Sequence, residues 1–233
     1  MGRGVRGWSL RGRGRGGKGT LMLNMVEIEG FETGVSASKG TLNIMGNSAI
    51  TFASGGTGLE VKGEAMATMT GGRIVGSGDG MGVYMGSSKT LMLNSVDISN
   101  VEKGGSGKYG VKMMGGTVMM MGGSIMEFET GVSASNGTLV MNGGSKITVK
   151  SGGTGLSVSG GAMATLMGGT TIKGDGKGYG VKMMGSGTVK MMGEVGISNV
   201  GMGVEVKSGT VEMSGVGISN VAMGCMLRRG RWR

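Results

Sequence analysis

The sequence contains no histidine and no proline, a single cysteine, and aromatic residues at only 3% of its 233 positions. One cysteine excludes an intrachain disulfide. A zinc site without histidine would have to be built mainly from carboxylates, which is an improbable ligand set. Histidine is also the side chain that most often transfers protons in enzymes near neutral pH. We therefore expect a protein that is not an enzyme, with no catalytic, cofactor-binding or metal-binding residues and no cofactor.

Long hydrophobic runs are lacking as well. No segment approaches the ~18 apolar residues that a membrane-spanning helix needs. Residues 1–10 have a basic start without the apolar stretch that follows it in a secretory signal peptide. We expect no membrane-spanning segment and no signal peptide in this sequence.

The formal net charge of +10 is concentrated at the two ends of the chain. The basic residues at these ends are Arg3, Arg6, Arg11, Arg13, Arg15 and Lys18, followed by Arg228, Arg229, Arg231 and Arg233. The remaining 14 basic residues match the 14 acidic ones. This distribution predicts a basic, disordered Arg/Gly-rich tail over residues 1–18, an electrically neutral repeat domain over residues 19–227 and a second basic tail over residues 228–233.

The central region is an internal repeat. Residues 31–38 recur at 128–135, and residues 55–59 recur at 152–156, each with a shift of 97 positions. A shorter unit of 21–28 residues is marked by a glycine followed by an apolar residue. Its nine copies are Gly34-Val35, Gly58-Leu59, Gly82-Val83, Gly110-Val111, Gly131-Val132, Gly155-Leu156, Gly180-Val181, Gly203-Val204 and Gly224-Cys225.

Each unit has the pattern of two or three short strands. Apolar and mostly polar residues alternate after the glycine step, as in Val132-Ser133-Ala134, and again after Gly-Thr, as in Leu139-Val140-Met141. Alternation with period two is typical of half-buried strands. A third strand in each unit is marked by an isoleucine, at Ile50, Ile74, Ile98, Ile125, Ile147, Ile172, Ile197 and Ile218. Because single coils cannot bury their apolar side chains alone, the pattern predicts an all-β solenoid, a right-handed parallel β-helix of about nine coils.

Units of this kind, which are rich in Gly, Ser and Thr and almost without aromatics, resemble the passenger regions of bacterial autotransporters over about residues 19–227. The likeness is greatest to the Gly-rich passengers of the Bartonella type. The resemblance implies a right-handed β-helix on the outer membrane or cell surface, or secreted. It also implies an adhesin-like structural role, with host cell-surface or matrix components as partners.

Two other interpretations remain open at this stage. The alternating Arg and Gly at 11–16 are typical of segments that bind nucleic acid, which would make the ends of the chain an RNA or DNA interface. The third interpretation is a degenerate fragment of a passenger without an independent function.

Two residue types invite a site hypothesis, and for both the sequence favours a packing role. The 26 methionines suggest Cu(I), which prefers thioether ligands. Many of them, including Met113 and Met120, fall at inward strand positions where methionine fills irregular gaps. Cys225 occupies the place of Val or Leu in the other units, and we expect it to be a buried small hydrophobic residue.

Overall fold

A computed structural model describes residues 8–10, 19–100, 107–228 and 231–232 of the chain. The described residues form a parallel β-solenoid of about eight turns, and none of them lies in a helix. Strands within the solenoid pair in parallel with the strand one coil before and the strand one coil after, and the strands at its two ends pair on one side only. The predicted all-β repeat fold is confirmed. Among the described residues there is no helix that could cross a membrane.

The coils have three faces, and within the described residues of 19–227 each face contains nine rungs, which are counted from the N-terminal end. Face 1 contains β2 (Thr20–Asn24), β4 (Thr41–Met45), β6 (Met66–Thr70), β9 (Thr90–Asn94), β12 (Thr117–Met121), β14 (Thr138–Asn142), β16 (Met163–Leu166) and the first halves of β19 (Thr188–Ser198) and β21 (Thr210–Ser219).

Faces 2 and 3 are joined by long strands that turn the corner between them. These are β3 (Glu27–Ala37), β5 (Ala49–Gly63), β13 (Ser124–Ala134) and β15 (Lys146–Val158). Face 2 also contains β7 (Arg73–Gly76), β10 (Asp97–Asn100), β17 (Thr171–Lys173) and the second halves of β19 and β21. Face 3 is completed by β8 (Gly80–Ser87), β11 (Gly107–Met113), β18 (Tyr179–Met183), β20 (Met202–Val206) and β22 (Met223–Leu227).

The core is a set of ladders of like residues, one above another. On face 2 the isoleucines from Ile28 to Ile218 pair in register through all nine rungs. On face 3 the predicted inward column is buried from Val35 to Val204, with each residue at most 1% exposed. Because side-chain direction alternates along a strand, residues in equivalent positions of stacked coils share one face, and this places them all in the core.

Buried hydroxyl and amide groups close the corners between coils. Ser48, Ser145 and Thr170 each donate a hydrogen bond to the carbonyl three residues earlier, at 2.6–2.7 Å. The Asn100 side chain donates to Gly78 O at 2.7 Å, and its Oδ1 accepts from Gly78 N at 3.0 Å. Polar groups at these corners are therefore paired, as buried polar groups in folded proteins generally are.

Cys225 differs from the prediction. It does lie in register with Val204, at the predicted position of the inward column, but it is exposed and not buried. Its rung is the ninth and last on face 3, so no further described coil covers that side. The prediction was wrong because burial of an inward side chain needs a neighbour on both sides.

Most of the predicted tails lie outside the described residues. At the N-terminal end, β1 (Trp8–Leu10) pairs with β3, with Trp8 opposite Val35. At the C-terminal end, β23 (Arg231–Trp232) pairs with β21 on face 1. At these two short segments the backbone continues the sheet beyond the repeat domain.

Candidate binding surfaces

Face 1 presents an uncharged surface over its first seven rungs. The outward positions of these seven strands hold only Thr, Met, Asn and one Val, and none of them is ionisable. They are Thr20, Met22, Asn24, Thr41, Asn43, Met45, Met66, Thr68, Thr70, Thr90, Met92, Asn94, Thr117, Met119, Met121, Thr138, Val140, Asn142, Met163 and Thr165. The Thr/Met face is the name used below for this set.

Apolar side chains lie at the centre of the Thr/Met face. Met92, Met119 and Val140 are directly opposite one another in three successive rungs. Exposed methionines extend the surface in both directions, with Met22 62% exposed and Met163 53% exposed. Monomeric soluble proteins rarely expose a large contiguous apolar patch, and such patches usually mark an interaction site.

The last two rungs of face 1 are different. Lys190 and Glu212 occupy the middle outward column there, and their side chains form an ion pair at 3.1 Å. The Thr/Met face therefore ends at rung seven, and the first charges beyond it neutralise each other.

Face 3 carries the three tyrosines of the chain, each beside a lysine. The Lys182 ammonium lies 4.4 Å from the centre of the Tyr179 ring, and the Lys112 ammonium lies 5.1 Å from that of Tyr109. Tyr84, one rung before Lys112 on the same column, has the Lys62 ammonium 5.7 Å away. These distances fit cation–π contacts. Face 3 is therefore a polar surface with aromatic and cationic groups, unlike face 1.

Glu205 is the one buried acidic side chain of the described residues, and cations surround it. The carboxylate is 3.4 Å from Arg228 Nε and 4.0 Å from the ammonium groups of both Lys182 and Lys207. Its Oε2 accepts no hydrogen bond from the residues that the structure describes. A buried carboxylate needs such compensation, because leaving it unpaired costs several kcal/mol. The cluster retains an excess of positive charge at the C-terminal end of face 3.

No arrangement of acid, base or thiol suited to catalysis is visible in the described part of the chain. It contains no group of three or more His, Cys, Asp or Glu side chains that could hold a metal ion. A hydrogen bond from the Ser151 hydroxyl lowers the pKa of the Asp175 carboxyl, which favours a carboxylate rather than a proton donor. Although Cys225 is exposed, desolvation by the atoms packed beside it raises the pKa of its thiol, which disfavours the nucleophilic thiolate.

The methionines divide between core and surface according to strand direction. Met85, Met113, Met120, Met141, Met183 and Met191 are fully buried in the core, as predicted, and Met213 in the last coil is partly buried. The sequence places Met22 and Met119 between inward residues, and Met119-Met120-Met121 is the run that suggests Cu(I), but the continuous surface that the exposed methionines form was not predicted. The signal that could have found them is the outward position next to each inward residue of the Gly-Thr strands.

Comparison of the chain with protein-family models, with curated proteins and with solved structures finds no match. The solenoid fold accordingly rests on the pairing of its own strands.

Proposed function

We propose that this protein is a non-enzymatic, adhesin-like solenoid that associates with a second copy of itself through the Thr/Met face. The observation that carries the proposal is the uncharged, methionine-centred surface over seven rungs of face 1. Methionine side chains are flexible and polarisable, so they adapt to an opposing apolar surface.

The dimensions of the Thr/Met face suit an interface between two copies. At about 4.8 Å per rung and about 3.3 Å per residue, it measures roughly 34 Å by 16 Å. Two such faces in contact would bury about 1,100 Å² in total, just above the ~1,000 Å² expected of a specific interface. An interface of this size supports reversible, moderate association, which is the behaviour expected of an adhesive protein.

The charge distribution favours a second copy as the occupant. Two identical charged faces would repel each other, whereas the Thr/Met face has no ionisable group to repel its copy. The threonine and asparagine side chains between the methionines can hydrogen-bond across the interface or to water at its margin. The Thr/Met face can therefore be hydrated in the monomer and covered by the second copy in the dimer.

Display on a bacterial surface, with host cell-surface or matrix components as further partners, is the setting that the sequence resemblance implies. The Thr/Met face would serve there to join neighbouring copies. Nucleic-acid binding through the basic ends remains a prediction, because those ends lie almost wholly outside the described residues.

The experiment measures the concentration dependence of molar mass by sedimentation equilibrium for the full chain and two variants. Met119→Lys places a charge at the centre of the Thr/Met face, where an unpaired charge would be desolvated on association. Met126→Lys is the matched control, because Met126 is an exposed outward methionine of the same coil on face 2.

We expect the wild-type chain to dimerise reversibly, Met119→Lys to remain a monomer and Met126→Lys to behave as wild type. A wild-type chain that stays monomeric up to its solubility limit would refute self-association. Equal loss of association in both variants would show that another face, or a general effect of charge, is responsible. Circular dichroism of both variants verifies that the fold is retained.

A further inference from the structure

A strip of face 3 from rung four to rung seven has a regular composition. One column of surface residues consists of Tyr109, Thr130, Thr154 and Tyr179, which are paired in register. A second surface column, three residues later in each strand, consists of Lys112, Ser133, Ser157 and Lys182, which are also paired in register. The eight residues are called the face 3 strip below. A tyrosine and a lysine thus stand at each end, and two rungs of hydroxyl groups lie between them.

The two ends of the strip are copies of each other. Residues 109–114 and 179–184 are both Tyr-Gly-Val-Lys-Met-Met. The lysines are separated by three rung spacings, roughly 14 Å at about 4.8 Å per rung. The structure gives the hydroxyl groups between them no hydrogen-bond partner among the described residues, so they are free to bind a ligand.

The strip is positively charged. None of its outward positions is acidic, and at its far end Glu205 is shared among Lys182, Lys207 and Arg228. Because three cations surround this one carboxylate, Lys182 is held in place there while the cluster keeps a net positive charge. The far end of the strip therefore attracts negative groups. At the other end Lys108 and Lys112 line one pocket with Asp79, so that end also has an excess of positive charge.

We propose that the face 3 strip binds a linear acidic polysaccharide in which uncharged sugar units separate the acidic ones. The polymer lies along the solenoid axis. Its carboxylates pair with the lysines at the two ends, the hydroxyl rows hydrogen-bond the sugar between them, and the tyrosine rings pack against the apolar faces of sugar rings. Aromatic rings with a polar edge suit such a surface, which is apolar on one side and wet on the other.

The spacing of charges favours a polysaccharide over a nucleic acid. A single nucleic-acid strand carries one charge per ~3.4 Å in helical form, so a groove that follows it needs basic groups at close intervals. Within the strip, two rungs of uncharged hydroxyl residues lie between the lysines, and Glu129 beside Thr130 adds a carboxylate that would repel a closely charged strand there. A chain with widely spaced carboxylates and many hydroxyl groups matches this pattern, whereas a uniformly charged strand leaves its central charges unpaired.

The variants that test the proposal reproduce residues already present at the same register. Lys112→Ser with Lys182→Ser copies the neighbouring Ser133 and Ser157, and Tyr109→Thr with Tyr179→Thr copies Thr130 and Thr154. The charge-matched control is Lys146→Ser with Lys173→Thr on face 2, where Ser124 and Thr148 occupy the same registers. Each variant is therefore expected to fold.

Binding of the full-length proteins is measured by isothermal titration at physiological salt. Three probes are used. They are hyaluronan, which is a polymer with a uronate in every second sugar unit, the neutral polymer dextran, and a single-stranded thymidine oligonucleotide. The basic terminal residues are common to all four proteins and contribute equally. We expect binding of hyaluronan but not of dextran, with a loss of about tenfold or more in the lysine variant, since a charged hydrogen bond typically contributes at least that much.

The tyrosine variant is expected to weaken hyaluronan binding as well, and the face 2 control to leave it unchanged. The proposal is overturned if the wild-type chain does not bind hyaluronan, if both lysine pairs cause the same loss, if the tyrosines have no effect, or if the face 3 lysine variant loses oligonucleotide binding as strongly as hyaluronan binding. Met119→Lys on face 1 should retain hyaluronan binding, which separates this proposal from self-association.

Discussion

At the scale of single residues, the glycine before each inward valine or leucine lies where two coils touch. A Cβ added at Gly155 would contact Ile172 Cγ2 and lie 2.7 Å from Gly180 O in the next coil. At Gly131 the corresponding neighbours are Ile147 Cγ2 and Gly155 O. Neither glycine has a left-handed backbone. Close approach between coils, and not a turn, is therefore what requires glycine at this position.

We predict that Gly155→Ala lowers the free energy of unfolding by about 1–3 kcal/mol, because the new methyl group overpacks the contact between coils. Gly161→Ala is the control in the same coil, since a Cβ there would meet no atom within 4 Å. Its effect should stay within about 0.5 kcal/mol. Urea denaturation midpoints measure both changes, and equal midpoints for the two variants would contradict the argument.

The sequence located these glycines by their period but left open whether they serve turns or close contacts. Only the neighbouring coil decides between the two, and a single unit of sequence does not contain it. The same limit explains Cys225, whose register was predicted correctly and whose exposure was not. Two outward positions, Met25 and Ser95, have a positive φ without being glycine, and nothing in their side chains indicated it.

At the scale of the strand, alternation fixes which methionines face water. Inward and outward residues of the Gly-Thr strands were predictable because period two is unambiguous in such short segments. The continuity of the Thr/Met face over seven rungs was not predictable in the same way. The outward residues of the Gly-Thr strands are mixed when they are taken one unit at a time, because Lys190 and Glu212 are charged. Register across coils, which the structure supplies, separates the uncharged rungs from the charged ones.

Limited oxidation by hydrogen peroxide should distinguish the two sets of methionines. Met22 and Met163 are largely exposed, whereas Met141 and Met183 are fully buried. We expect sulfoxide at the exposed pair well before the buried pair, because oxidation requires access and makes a buried side chain polar. Peptide mass spectrometry measures the rates. In urea the four rates should converge, and oxidation of Met141 as fast as Met163 in the folded protein would refute its inward placement.

At the scale of the whole molecule, a neutral rod carries two surfaces of different chemistry between basic ends. The Thr/Met face is uncharged and rich in methionine, and face 3 has lysines and tyrosines, so the two proposed binding surfaces lie on different faces of the same coils. The stacking of similar coils makes this possible, because an outward residue contributes little to the core and each face can change independently. The basic ends add a concentration of positive charge that the repeat units do not have.

Any nucleic-acid binding by the chain is predicted to reside in its basic ends. The variant replaces with glutamine the ten basic residues of these ends, Arg3, Arg6, Arg11, Arg13, Arg15, Lys18, Arg228, Arg229, Arg231 and Arg233. What remains has 14 basic and 14 acidic residues and no net charge, and the two lysines of the face 3 strip are too few and too far apart to follow the closely spaced phosphates of a nucleic-acid strand. This variant also removes one of the cations around Glu205, because Arg228 Nε lies 3.4 Å from the Glu205 carboxylate. A second variant that retains Arg228 therefore serves as the control for folding.

Oligonucleotide affinity is to be measured by fluorescence anisotropy over a range of salt concentrations. Binding through phosphate contacts has a slope of log K against log salt near −0.7 per contact for single strands, so the wild-type slope counts the basic residues engaged. We expect both variants to lose binding at physiological salt. Retained binding would place the nucleic-acid interface on the coils and contradict the prediction that it resides in the basic ends. If the wild-type chain itself binds no oligonucleotide but dimerises, the adhesive interpretation gains at the expense of the nucleic-acid one.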